Sequence, residues 1–290
     1  MKIRDVLNAG KRSLSFEFFP PKTDQGVESL FNTMEELKHY QPTYISVTYG
    51  AGGSTRDRTV DIALRIKKET GLEPMCHVTC VSQTKEELHG VLVQLEAGGI
   101  ENVLGLRGDP PRDQENFVPV EGGFHYAGEL ISYIRENFDF GVAAACFPEG
   151  HVDSPDLTTD TEYLKRKVDA GADFLVTQLF YDNRDYFDLR ERAERAGIKV
   201  PIIVGVLPIL GTAQIRRFTA FCGAKIPPAL DEQLERYADD DDAVRELGIE
   251  YASRQVEELW ESGVGGVHFY TLNRSYSTSK VIEGLNLSPD

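Results

Sequence analysis

Pro74-Met75-Cys76-His77-Val78-Thr79-Cys80 is a short apolar run, and a few residues on Thr84-Lys85-Glu86-Glu87 opens an amphipathic stretch that closes at Gly98. An apolar run without strict alternation is what a strand covered on both faces requires. A threonine ahead of Lys-Glu-Glu marks a helix start, and a glycine past the last apolar turn marks its stop. Together they predict one strand–helix unit.

The unit recurs in both directions. Strands are expected at Ser13–Phe19, Thr43–Tyr49, Pro74–Cys80, Asn102–Arg107, Gly141–Phe147, Phe174–Phe180, Pro201–Leu207 and Gly266–Leu272. Helices are expected at Val27–His39, Thr59–Glu69, Lys85–Gly98, Ala127–Asn137, Thr161–Ala170, Tyr186–Ala196, Thr212–Cys222 and Val244–Ser262, with Ser275–Leu287 left for a terminal helix. Eight strands alternating with eight helices over about 250 residues is the arithmetic of an α/β (β/α)8 TIM barrel. A doubly wound open sheet is the alternative, but eight units strain it. No Pro/Gly/Ser-rich linker divides the chain, so residues 1–290 are expected to form a single domain.

Lys and Arg total 31 against 47 Asp and Glu, a net charge of −16. Such a surface repels phosphate backbones and anionic membranes, which argues against nucleic-acid and membrane partners. With 41% hydrophobic and 27% charged residues the chain can bury a core. The N-terminus has no signal-peptide pattern, and there is no apolar run of about 18 residues, so the expected location is cytoplasmic. Four cysteines are too sparse for a disulfide scaffold, and no metal-ligand spacing is present, so no metal is expected.

In a barrel, functional residues belong at strand C-termini and in the loops beyond. Glu17 stands between Phe16 and Phe18; desolvation by aromatic neighbours would raise its affinity for a proton and make it a general acid near neutral pH. The competing reading is a buried carboxylate satisfied by an arginine or by backbone amides. Arg107-Gly108-Asp109 closes the fourth strand, either as a ligand site or as a tight turn with a local salt bridge. Gly50 to Thr55 precedes a helix, where amides can hold an anion, or is simply a loop. Lys165-Arg166-Lys167 offers local positive charge, although at most two of the three can face one ligand. Asp239–Asp242 reads as a solvated helix cap. His77 and His151 lie at the active end, and His268 reads as a satisfied core residue within the eighth strand.

Seven motifs in order carry a resemblance: Ser15-Phe16-Glu17-Phe18-Phe19-Pro20-Pro21-Lys22, Ser46-Val47-Thr48-Tyr49-Gly50, Arg107-Gly108-Asp109, Pro148-Glu149-Gly150-His151, Lys165 to Ala172, Thr177-Gln178-Leu179-Phe180 and His268 to Arg274. Together they resemble the methylenetetrahydrofolate reductase family from about Ser13 to Arg274. The resemblance implies an FAD-bearing (β/α)8 barrel that reduces 5,10-methylenetetrahydrofolate to 5-methyltetrahydrofolate and supplies methyl groups for methionine synthesis. It implies ping-pong order, with NADH or NADPH reducing FAD and leaving before folate binds.

By position, the resemblance makes Glu17 the acid that opens the methylene bridge and Asp109 a catalytic residue near flavin and pterin. It places FAD contacts at Thr48, Tyr49, Ala51, His77, Arg107, Gly108, Asp109, Tyr126, Ala127, Phe147, His151, Asp160, Arg166 and Lys167. Phe147 stands where relatives often have tyrosine, so it keeps ring packing and lacks a hydroxyl. Substrate contacts fall at Glu17, Asp109, Gln178, Gln214, Phe218 and Arg274. The resemblance is to the single-domain bacterial type, without the regulatory domain of eukaryotic relatives, and implies a homo-oligomer. Two rival readings are a cofactor-free barrel lyase with Glu17 as base, disfavoured by the lack of a Schiff-base lysine at a strand end, and a flavin- or folate-binding protein without catalysis.

Overall fold

In the computed structural model, which describes residues 1–50, 55–110, 117–285 and 287, Pro74–Thr79 is a strand and Lys85–Ala97 a helix. Thr84 Oγ1 accepts the Glu87 N–H while the Glu87 carboxylate accepts the Thr84 N–H, a reciprocal cap that satisfies two otherwise free donors. The strands are β1 (Ser13–Phe18), β2 (Tyr44–Val47), β3 (Pro74–Thr79), β4 (Asn102–Leu106), β5 (Gly141–Cys146), β6 (Phe174–Thr177), β7 (Ile202–Val206) and β8 (Gly266–Tyr270). They pair in parallel in chain order, and β8 closes on β1. The expected (β/α)8 barrel is the fold. Each strand leaves the ladder one to three residues before its apolar run ends.

The helices are α1 (Ile3–Asn8), α2 (Asp24–Lys38), α3 (Arg56–Arg65), α4 (Lys85–Ala97), α5 (Ala127–Asn137), α6 (Leu157–Asp169), α7 (Asn183–Arg195), α8 (Thr212–Cys222), α9 (Pro228–Arg236), α10 (Asp241–Glu261) and α11 (Tyr276–Leu285). The sequence reading does not include α1 or α9. It also starts α6 late: Asp156 is the cap, accepting the Thr159 N–H, so the helix begins at Leu157 rather than Thr161. Asp240 caps α10 by accepting the Ala243 N–H, which gives the acidic run its place.

Side chains alternate across each strand. On β1, Leu14, Phe16 and Phe18 join the layer between barrel and helices, leaving Ser15 and Glu17 to point into the barrel. At the N-terminal end, Ile3 and Leu7 of α1 plug the interior against Tyr44, Met75, Leu104, Phe174 and Ile203. Burying a side chain of that size contributes roughly 1.5–3 kcal/mol. The plug is fixed by Asn102, which accepts the Ile3 N–H at 2.8 Å and donates to the Met1 carbonyl at 2.8 Å. Over β6 to β8 a satellite core of Leu179, Tyr181, Leu207, Ile215, Leu230 and Leu234 is completed by α8, α9 and α10. Among the described residues no helix is long and apolar enough to cross a membrane.

Candidate active site

Above the apolar plug the barrel interior turns polar. Glu17 pairs in register with Ser46 of β2 and Tyr270 of β8. Its Oε2 lies 3.2 Å from His268 Nε2 and 3.4 Å from His77 Nε2. The other nitrogen of His268, Nδ1, meets Ser15 Oγ at 2.8 Å, and His77 Nε2 also meets Ser46 Oγ at 2.7 Å. His268 is fully buried, with the Tyr44 ring stacked at 5.8 Å and the Tyr270 ring edge-on at 5.4 Å. The Tyr270 hydroxyl donates to the Thr177 carbonyl at 2.6 Å. Gly205 leaves the space, since a Cβ there would stand 2.6 Å from that hydroxyl.

This arrangement reverses the expectation for Glu17. Burial works to raise its pKa, but hydrogen bonds from His268 and His77 and their positive charge outweigh it and pull the carboxyl down to about 2. Glu17 is therefore an ionised carboxylate at neutral pH, not a protonated acid at rest. Nor is it satisfied by arginine or backbone amides; two imidazoles hold it. It retains 17% side-chain exposure toward the mouth, enough for ligand contact.

The candidate cofactor residues ring the mouth from β2 to α6. Thr48 is bound through its backbone to β1, its N–H on the Phe18 carbonyl at 2.9 Å. The buried Tyr49 hydroxyl has no partner among the described residues. Ala51 lies outside the described residues, as does most of the Gly50 to Thr55 loop. Arg107 pairs with Asp153 at 2.6 Å rather than with Asp109, so the tight-turn reading with a local salt bridge does not hold as stated. Gly108 has φ +86°, and a Cβ would stand 2.8 Å from Val81, so this turn requires glycine. Asp109 is exposed at the rim, and desolvation raises its carboxyl above the usual range against the pull of Arg107. Tyr126, 66% exposed, precedes Ala127 at an α5 N-terminus that has no capping side chain.

Phe147 packs edge-on against His151 at 4.7 Å, with the Lys167 ammonium 5.5 Å from its ring. His151 is depressed in pKa by burial and then by Arg107. Asp160 accepts from the His151 N–H at 3.0 Å and from Ser154 Oγ at 2.9 Å, which pins the loop after β5. The three adjacent cations diverge. Lys165 pairs with Asp169 on the outer face, Arg166 lies over the Tyr163 ring, and Lys167 turns inward to the Ala145 carbonyl at 2.5 Å. Arg166 and Lys167 are thus not brought together in this structure. The donor set nonetheless suits a dinucleotide: inward-turned Lys167, rim Arg107, uncapped α5 amides and an orphaned Tyr49 hydroxyl offer cationic and polar groups to an anion in a strongly acidic chain.

On the opposite side of the mouth, Gln178 Oε1 accepts the Leu179 N–H at 2.8 Å, leaving its amide NH2 without a partner among the described residues. Gln214 and Phe218 share one face of α8, four residues apart, and Phe218, like Tyr270 and Leu272, packs against the satellite core. Arg274 follows Leu272 and Asn273, both left-handed at φ 52° and 58°. Sequence reasoning missed His268 as a partner of Glu17, and Ser15 and Ser46 as the hydroxyls that hold the two imidazoles. The available signal was strand parity, which puts Ser15 and Glu17 on one face of β1.

The comparisons with known proteins agree over the whole chain. A sequence model of the family described as methylenetetrahydrofolate reductase matches residues 2–286. Methylenetetrahydrofolate reductase (NADH) 1 of Arabidopsis thaliana is 41% identical over 99% of this chain and 50% of its own length. The 5,10-methylenetetrahydrofolate reductase of Escherichia coli strain K12 is 36% identical over 99% of this chain and 97% of its own. The chain thus spans about half the length of the plant relatives it matches. Among solved structures, an uncharacterized protein from Clostridium thermocellum that binds two copies of 5-methyl-5,6,7,8-tetrahydrofolic acid superposes with a TM-score of 0.63. It is 17% identical, over 99% of this chain and 98% of that one, a likeness of fold.

Proposed function

The chain belongs to the methylenetetrahydrofolate reductase family, and on that premise we propose that it reduces 5,10-methylenetetrahydrofolate to 5-methyltetrahydrofolate with NADH or NADPH as donor. The observation that carries this reading is the ionised Glu17, held between two imidazoles at the floor of an open barrel mouth. The residues around β2 to α6 suit FAD, which when bound supplies a redox carrier between nicotinamide and folate in ping-pong order. Thr48, Tyr49, His77, Arg107, Gly108, Asp109, Tyr126, Ala127, Phe147, His151, Asp160, Arg166 and Lys167 are the residues we assign to it, together with Ala51.

The chain's own groups then do the following. Gln178, Gln214, Phe218 and Arg274 orient the folate, Phe218 by stacking and Gln178 through its free amide. Opening the methylene bridge leaves a positive charge on the pterin-bound methylene, and the Glu17 carboxylate stabilises that cation electrostatically. The nitrogen that leaves the methylene carbon needs a proton, and Glu17 Oε2, hydrogen-bonded to His268 Nε2, is the atom through which that proton arrives. Asp109 adds negative charge at the rim. The hydride that completes the methyl group comes from the nicotinamide donor. We further propose that the protein is cytoplasmic and that it works as a homo-oligomer.

Absorbance of the purified, FAD-loaded protein under anaerobic conditions tests the reading. Flavin bands should bleach on addition of NADH or NADPH and return on addition of methylenetetrahydrofolate, the faster donor being the preferred one. A protein that takes up no FAD, or whose reduced flavin is not reoxidised by the folate, would remove the assignment.

A further inference from the structure

Helix α8 carries Gln214 and Phe218, yet few of its side chains are sunk into the protein. Ile215 and Thr219 are its buried residues, and Phe221 is 65% exposed. Its first turn has no capping side chain, and the Thr212 hydroxyl reaches the Leu234 carbonyl of α9 at 3.4 Å. A helix with so little buried surface owes its placement to what fixes its ends.

Glu149 fixes the C-terminal end. The helix stops at Gly223, left-handed at φ 73°, and two residues on the Lys225 N–H donates to both oxygens of the Glu149 carboxylate, at 3.0 and 3.1 Å. The Lys225 ammonium stands 3.5 Å away on a side chain that is 77% exposed, whereas the Glu149 side chain is 5% exposed. Gly223 meets the same loop: a Cβ there would stand 2.7 Å from Val152. Burial pushes the Glu149 carboxyl above its usual range, the Lys225 N–H and ammonium pull it back, and Asp185 of α7 adds to the rise. The helix dipole also disfavours an anion just past a C-terminus. Three influences thus oppose a carboxylate here, and the group it holds is a backbone amide.

The frame from which Glu149 reaches is pinned on both sides. Arg192 of α7 donates to the Pro148 carbonyl at 3.0 Å, and Asp160 of α6 accepts the His151 N–H at 3.0 Å. Phe218 precedes Cys222, the last residue of α8, by four residues, about 6 Å of helix, so a shift at this end is carried to the face that bears Phe218 and Gln214.

We propose that Glu149 is a positioning residue for the substrate face of α8: its carboxylate ties the chain beyond the helix to the loop after β5 and so fixes Phe218 and Gln214 for folate. The inference rests on the folate reading above and adds to it a residue that acts through α8 rather than on the reacting atoms.

Three measurements on the FAD-loaded protein test it: calorimetric titration with 5-methyltetrahydrofolate, steady-state kinetics with methylenetetrahydrofolate, and hydrogen exchange across Thr212–Cys222. Glu149→Ala should weaken folate binding and raise KM about tenfold, leave kcat largely unchanged and speed exchange in α8. Glu149→Asp keeps the charge but falls one methylene short of the amide; it should act in the same direction, and it carries the test should the alanine variant not fold. Glu149→Gln keeps an oxygen for the Lys225 N–H and should recover most of the affinity. Lys225→Ala removes an exposed ammonium and leaves the N–H, so it should change folate affinity by no more than about twofold. FAD affinity, read from flavin fluorescence, should be unchanged in every variant. Folate affinity unchanged in both Glu149→Ala and Glu149→Asp, a fall in kcat with KM unmoved, a Gln variant no better than Ala, a Lys225→Ala loss as large as that of Glu149→Ala, or an equal loss of FAD affinity would each overturn the tether while leaving the folate reading standing. A wild type that binds no folate would overturn the folate reading and the role of Glu149 with it.

Discussion

Glu17→Gln exchanges an ionised carboxylate for an amide of nearly equal volume, so it perturbs charge and protonation rather than packing. His268 and His77 hold the Glu17 carboxyl at about 2 against an ordinary 4.5. That difference of 2.5, at 1.36 kcal/mol per pH unit, amounts to about 3 kcal/mol. Because the folded pKa is the lower one, the unfolded chain takes up the proton first on acidification. The contribution is therefore full above about pH 4.5 and is lost as the pH falls toward 2. Gln does not titrate, so the stability of the wild type relative to Glu17→Gln should fall by about 3 kcal/mol across that window, whatever the amide does at neutral pH. Urea unfolding of both proteins over a pH series reads this directly. Parallel curves would mean that the imidazoles do not hold the carboxylate. A relative stability that rises on acidification would restore the neutral acid first expected. In the same variant, flavin reduction by NAD(P)H should persist while folate reduction is abolished, and equal loss of both would refute the role given to Glu17.

Two other substitutions probe the same floor from different sides. His268→Ala removes a fully buried ring that bonds both Ser15 and Glu17; it should cost about 3 kcal/mol in urea unfolding and shift the acid limb of the folate half-reaction to higher pH. A stability loss with an unmoved pH profile would reduce His268 to packing. Gly205→Ala places a Cβ 2.5 Å from the Thr177 carbonyl and 2.6 Å from the Tyr270 hydroxyl, so thermal unfolding should report a loss of about 1–3 kcal/mol and folate should bind more weakly as Tyr270 is displaced. An unchanged melting temperature and folate affinity would show that Tyr270 does not need that space.

Much of the barrel was legible because its strands are written as uninterrupted Val, Ile, Phe and Ala runs with glycine stops between them, a signal local to each unit. What escaped had weak or distant signals. The six residues of α1 carry too few turns to show a period, and its role as a plug depends on Tyr44, Met75 and Phe174 far along the chain. Leu230 and Leu234 of α9, behind Pro227-Pro228, form only one apolar pair. Glu17 stood out by position, yet its protonation state came out with the wrong sign, and β-strand parity explains why. Phe16 and Phe18, the neighbours that suggested an apolar pocket, project outward beneath the helices and never face the carboxylate. The groups that do face it come from other strands: His77 of β3, and His268 of β8, which is 251 residues away in sequence. Adjacent residues in a strand report the environment of the opposite face. For an inward carboxylate the relevant neighbours are the residue two positions away and those across the ladder. Applied to β1 and β8, that rule groups Ser15, Glu17, His268 and Tyr270 as one inward set, in which the carboxyl is a hydrogen-bonded anion rather than a desolvated acid.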